Sequence, residues 1–167
     1  EYGIKTDGKK PEQLAAELPI TCEIIQADLT RDDQLERVAA RLREASNLKL
    51  LVNNAGFGTM GRFFETPLAG PDAMHRLHVM ATMRLTHAAL PGMVARRSGS
   101  IVNISSASSG PPLSKGFTYG VAKGGVNQVT MFLAREWATS GVRVNALAPG
   151  FFLTEQNRFL MIDKETG

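Results

Sequence analysis

Short apolar runs alternate along this chain with longer stretches in which apolar residues return every three or four positions. The first run, Thr21 to Gln26 (TCEIIQ), ends at Ala27-Asp28-Leu29-Thr30. Leu35, Val38, Ala39 and Leu42 then fall on one helical stripe, with Thr30 or Asp32 placed to cap its start. A second run, Leu48 to Val52, stops at Asn53-Asn54-Ala55-Gly56. A long helix is predicted from about Pro71 to Arg96, carried by Leu77, Ala81, Leu85, Ala88 and Ala89. The third run, Ser100 to Ile104, opens into a Ser/Gly/Pro-rich loop that extends to Lys115. Another helix fits about Tyr119 to Thr139, where Val126, Val129, Leu133 and Trp137 share a face. The fourth run, Val142 to Leu147, ends at Pro149-Gly150.

Strands separated by helices predict an α/β fold, a doubly wound parallel sheet covered on both faces. Right-handed crossovers send every strand's carboxyl end to the same edge. Asp28, Asn53 to Gly56, Ser105 to Gly110 and Pro149-Gly150 all follow strand ends. In an open α/β sheet that edge is where ligands bind.

Composition narrows the function classes. The 167 residues suit a single domain. The 19 Lys+Arg against 16 Asp+Glu are scattered, with no basic run and few aromatics, so a nucleic-acid surface is not expected. No apolar stretch is long enough to cross a bilayer, and Glu1 to Lys5 does not read as a signal peptide. The single cysteine, Cys22, excludes an internal disulfide, and its apolar surroundings predict a buried structural thiol rather than a nucleophile. A cytoplasmic protein fits these features. His75, His78 and His87 lie on one predicted helix, but no clustered carboxylate or cysteine completes a metal site. Ser105-Ser106 lacks the flanking glycines of a hydrolase elbow.

The strongest chemical signal is Tyr119-Gly-Val-Ala-Lys123 with Ser106 upstream at a strand end. A spacing of four sets Tyr119 and Lys123 one turn apart on one helical face. A phenol is a poor base at its ordinary pKa of ~10, and a neighbouring ammonium lowers that value. Tyr119 is then able to exchange a proton with an alcohol or carbonyl oxygen. Ser106 is placed to hydrogen-bond the same oxygen as charge develops on it.

Taken together, Asn53-Asn54-Ala55-Gly56, Ser106, Tyr119-x-x-x-Lys123 and Pro149-Gly150 resemble the short-chain dehydrogenase/reductase family, from about Thr21 to Thr154. The resemblance implies a Rossmann-like domain, NAD or NADP as cofactor, and a small carbonyl or alcohol substrate. It implies Ser106, Tyr119 and Lys123 as the catalytic set. Asp28 and Leu29 match the adenine pocket; Asn54, Ala55 and Gly56 match the turn beside the cofactor ribose. Lys123 also matches the group that holds the nicotinamide ribose hydroxyls. Pro149, Gly150, Phe152 and Thr154 match the segment over the nicotinamide. A homo-oligomer, dimer or tetramer, is implied as well; Met83, Met93, Met131 and Phe132 lie outside the core stripes of the two long helices, as such an assembly requires.

Three departures from the family pattern stand out. The glycine-rich phosphate turn is missing, since Gly3 and Gly8 do not reproduce it, and the domain reads as incomplete at the N-terminus. Losing the two strands around that turn predicts a gap in the middle of the sheet. His78 stands where the family carries an asparagine whose main-chain carbonyl positions a water in a proton relay to the lysine. The chain ends at Gly167, before the family's last strand. The stretch from Pro149 to Arg158 resembles the branch that reduces sugar acids such as fructuronate, with Arg158 either a carboxylate clamp or an exposed lid residue. A different class of function is a silent fragment retaining only subunit assembly; cofactor binding separates the two.

Overall fold

The structure, a computed structural model, describes residues 11–17, 19, 21–59, 61–111 and 116–150. Three parallel strands, β1 (Leu50–Asn53), β2 (Gly99–Ile104) and β3 (Val142–Leu147), lie in the order β1-β2-β3. Five α-helices accompany them: α1 (Pro11–Glu17), α2 (Asp32–Glu44), α3 (Ala69–His75), α4 (Thr82–Ala95) and α5 (Phe117–Trp137). Helices α3 and α4 are one continuous rod, joined by a π-helical stretch over Arg76–Ala81. The predicted long helix and the Tyr119 helix are therefore present, each starting two residues earlier than the spacing implied.

Strand alternation sorts the sheet into two faces. Register places Leu51 beside Ile101 and Ile101 beside Val144, and all three are buried. They meet Leu35 and Ala39 of α2 and Leu85, Ala88, Ala89 and Met93 of α4 in one core cluster, with Leu133 and Trp137 of α5 packed against it. Each fully buried side chain of this size contributes ~1.5–3 kcal/mol. Met93 belongs to this core at 0% exposure, which corrects its expected place outside it.

The other face departs from expectation. Leu50 and Val52 of β1 and Leu147 of β3 are each about half exposed, and Arg143 and Asn145 are exposed too. Among the described residues the helices cover one face of the sheet, not both. The run Thr21 to Gln26 forms no strand. A strand needs a neighbour to take its N–H and C=O groups, and no described strand flanks the outer edge of β1. The expected gap is thus replaced by three contiguous strands with the first run left outside the sheet. Cys22, on that run, is exposed rather than buried for the same reason.

A buried polar chain ties the strand ends to the helices. Asn53 Nδ2 donates to Asn103 Oδ1 at 2.8 Å and to Thr86 Oγ1 of α4 at 3.3 Å. Asn103 Nδ2 in turn donates to Thr130 Oγ1 of α5 at 2.9 Å. These bonds tie β1, β2, α4 and α5 together through the core, although Asn53 Oδ1 is buried without a hydrogen-bond partner among the described residues.

Candidate active site

Three loops leave the sheet at its carboxyl edge. The loop after β2 is tied to the one after β3: Ser105 N donates to Leu147 O at 2.7 Å, and Ala107 N donates to Pro149 O at 3.0 Å. Pro149 and Gly150 therefore sit beside Ser106. Ser106 itself is extended and caps a short 3-10 turn, Ala107–Ser109, by accepting from Ser108 N at 3.2 Å. The turn is braced against α5, where Asn127 Nδ2 donates to Ser109 Oγ at 2.7 Å.

Helix α5 brings Tyr119 and Lys123 to this loop. Ser106 comes close enough to Tyr119 to act on its hydroxyl, so two groups thirteen residues apart converge, while the Ser106 hydroxyl itself donates to Ser108 Oγ at 3.1 Å. Lys123 is 4% exposed, and its Nζ donates to Ile104 O at 2.6 Å. It lies 5.6 Å from the centroid of the Tyr119 ring. Ser105 Oγ, also buried, donates to the Lys123 carbonyl at 3.3 Å and fixes the same turn of α5 from outside the predicted set.

The electrostatics differ from the expected order. Burial pushes the Tyr119 hydroxyl above the ordinary phenol range, opposed in part by the Ser106 hydroxyl. Burial also lowers the Lys123 ammonium to about 8. The reason is desolvation: both groups pay for leaving water before the lysine's charge reaches the phenol. Tyr119 is held as a neutral O–H, which makes it an acid toward a carbonyl oxygen.

The loop after β1 completes the edge. Asn54, Ala55 and Gly56 are exposed, and Phe57 turns inward against Met74 and Leu77. Leu29 packs on that same cluster, which sets Asp28-Leu29 near the turn. Asp28 accepts from Thr30 N and Thr30 Oγ1 at 2.9 and 2.7 Å, and these bonds hold its carboxyl below the usual range. Asp28 thus caps this corner where Thr30 or Asp32 was expected, and Arg31 stands at the helix start without a side-chain cap. Phe152, Thr154 and Arg158 lie outside the described residues.

The sequence reading marked His78 for its main chain, and the contact of its side chain with Tyr119 lay outside that reading. The His78 ring meets the Tyr119 ring edge-to-face, with centroids 5.7 Å apart at 85°. His78 Nε2 donates to Phe57 O at 2.8 Å. Because a carbonyl only accepts, the proton sits on Nε2. Burial, followed by the Lys123 charge, lowers the imidazole to about 4, so it is neutral near pH 7. The available signal was a polar residue beside Leu77, inside the apolar stripe of a helix.

Comparison with known proteins follows this geometry. Residues 3–165 match the family described as short chain dehydrogenase. The chain is 34% identical over 155 residues to the uncharacterized oxidoreductase YmfI of Bacillus subtilis, covering 92% of this chain and 63% of that protein. It is 39% identical over 145 residues to the 1,6-dihydroxycyclohexa-2,4-diene-1-carboxylate dehydrogenase of Pseudomonas putida, covering 83% of this chain and 52% of that one. A short-chain dehydrogenase from Sphingobium yanoikuyae, solved in complex with NADPH, superposes with a TM-score of 0.83 at 34% identity, over 93% of this chain and 60% of that chain. The chain thus spans between half and two-thirds of the length of these relatives.

Proposed function

The chain belongs to the short-chain dehydrogenase family, and from that membership we propose that it is the catalytic part of an NAD(P)-dependent oxidoreductase interconverting a carbonyl and a secondary alcohol. The observation that carries the reading is the convergence of Ser106 on Tyr119, whose ring lies 5.6 Å from the Nζ of the buried Lys123 one helical turn on. Tyr119, kept protonated by burial, donates its proton to the substrate oxygen in the reducing direction. Ser106 hydrogen-bonds that oxygen and supports the charge that develops on it.

The residues present fit the nicotinamide half of the cofactor. Lys123 carries three N–H donors, and Ile104 O is its partner among the described residues. The remaining donors suit ribose hydroxyls. The Asn54–Gly56 turn is exposed for such a contact, and Gly56 lets it lie close on His78, since a Cβ there would sit 2.4 Å from that ring. Asp28 and Leu29 serve the adenine end and Pro149 and Gly150 the nicotinamide end; Phe152 and Thr154, assigned to the same segment by the family resemblance, lie outside the described residues. When bound, the nicotinamide supplies or accepts the hydride.

The Sphingobium relative's NADPH supports NADP as one candidate beside NAD. The test is turnover of the full protein with each reduced cofactor against uncharged ketones and fructuronate-type sugar acids, followed by nicotinamide absorbance. Reduction of at least one class is expected; no turnover with any carbonyl sinks the reading. A preference for sugar acids identifies the branch that the Pro149 to Arg158 segment resembles.

We also assign α4 and α5 as a self-association surface within the cytoplasm. Met83 at 45%, Met131 at 64% and Phe132 at 70% exposure leave apolar area on these helices that a monomer seldom shows to water. Packing across a two-fold axis covers it. Sedimentation of the full protein at micromolar concentration is expected to show a dimer or tetramer, and monomer alone counts against the assignment.

A further inference from the structure

The loop after β1 lies across two rings at once. A Cβ on Gly56 would sit 2.4 Å from His78 Cε1 and 3.2 Å from Nδ1. A Cβ on Gly58 would sit 3.4 Å from Tyr119 Cδ2. Between these two glycines, Phe57 O accepts the His78 Nε2–H at 2.8 Å. The imidazole, 2% exposed, stands edge-to-face on Tyr119. One side chain thus touches the turn from below through a hydrogen bond and van der Waals contact, and touches the tyrosine through its ring.

We propose that His78 is a positioning residue whose side chain clamps the Asn54–Phe57 turn to Tyr119 and so sets the spacing between the cofactor's ribose turn and the proton donor. This rests on the reading of Asn54 to Gly56 as a cofactor turn. It assigns the imidazole itself a task, separate from any role of the residue's main-chain carbonyl. The contact is specific to the pair: the ring occupies the volume that a side chain at position 56 would need, so Gly56 and His78 depend on each other. His78 is itself buried and braced, so it has little room to give way.

The consequence is an energetic coupling that a double-mutant cycle measures. Gly56→Ala in the full protein is expected to weaken NADH or NADPH binding at least ~10-fold, read by nicotinamide fluorescence, because the turn must lift by roughly an ångström. In a His78→Ala background the same change has space and is expected to cost less than ~3-fold. His78→Gln keeps an N–H donor for Phe57 O and is expected to bind within ~3-fold of the parent. His78→Leu keeps bulk but removes the N–H that Phe57 O accepts, and ~10-fold weaker binding with a lower kcat is expected.

In cofactor-free protein the same coupling is read in melting temperature: Gly56→Ala lowers it more with His78 present than with Ala there. A Gly56→Ala protein that fails to fold while the Gly56→Ala/His78→Ala double variant folds supports the clamp equally. An equal cost in both backgrounds, a double variant that folds no better than the single, or a Leu variant that binds like the parent overturns it. Tyr119→Phe in the same binding assay separates the two ideas. Loss of cofactor binding by the parent itself would remove the oxidoreductase reading, whereas full turnover by Tyr119→Phe would remove only the proton-transfer role.

Discussion

Tyr119→Phe is expected to lower kcat by at least ~100-fold, the usual size of a lost general acid or base. The substitution deletes one oxygen and keeps the ring, so the edge-to-face contact with His78 and the packing beside Gly58 persist. Folding is therefore little changed, and cofactor binding stays near the parent value. What disappears is the O–H beside Ser106. Because burial keeps this phenol protonated above its ordinary range, the acid form is present throughout neutral pH. The parent's carbonyl reduction is then not limited by loss of this proton until the medium is well into the alkaline range. Steady-state kcat and KM of the full protein, with a circular dichroism spectrum to check the fold, decide the matter. Unchanged turnover would contradict the proposed role.

The second large effect is structural and lies far from the site. Gly141, between α5 and β3, has a φ of 76° and a ψ of 12°, in the left-handed region. A Cβ there would sit 2.2 Å from Arg97 O and 2.8 Å from Arg97 C. Those are backbone atoms of the turn leading into β2, and Arg97 is itself left-handed at a φ of 52°. Two turns thus pack back to back, pinned by Arg97 Nη2 donating to Thr139 O at 3.1 Å. Gly141→Val combines the left-handed penalty of ~1–2 kcal/mol with a backbone clash that no rotamer relieves. A loss of about 4 kcal/mol is expected, most of the stability of a domain at the low end of the ordinary ~5–15 kcal/mol range. Urea unfolding measures it. Gly141→Asn tolerates the left-handed backbone but keeps the Cβ, so it isolates the clash and should fall between the two. A Val variant within about 1 kcal/mol of the parent would mean that the turns separate easily.

Local periodicity determined the helices after Thr30 and three of the strands, while α1 was not foreseen. The stripe Val126, Val129, Leu133 and Trp137 placed α5 within two residues, and the Val142 to Leu147 run matches β3 at both ends. The four-residue step from Tyr119 to Lys123, and Ser106 at the end of β2, were also legible, because side-chain direction follows directly from helical and strand periods. What lay beyond reach was everything that depends on a partner from elsewhere in the chain. Thr21 to Gln26 has the composition of a strand, but a strand exists only beside another, and none of those described lies there. Cys22 follows it into solvent, while Met93, off its helix's expected stripe, is sealed in the core cluster beside Gly99 of β2. The protonation of the site belongs to the same class. A lysine four residues from a tyrosine reads as a charge that lowers a phenol, yet the ammonium turns to Ile104 O and burial raises Tyr119 instead. Spacing along a helix tells which groups are neighbours; only the packed interior sets how much water each has lost, and desolvation decides which of them holds the proton.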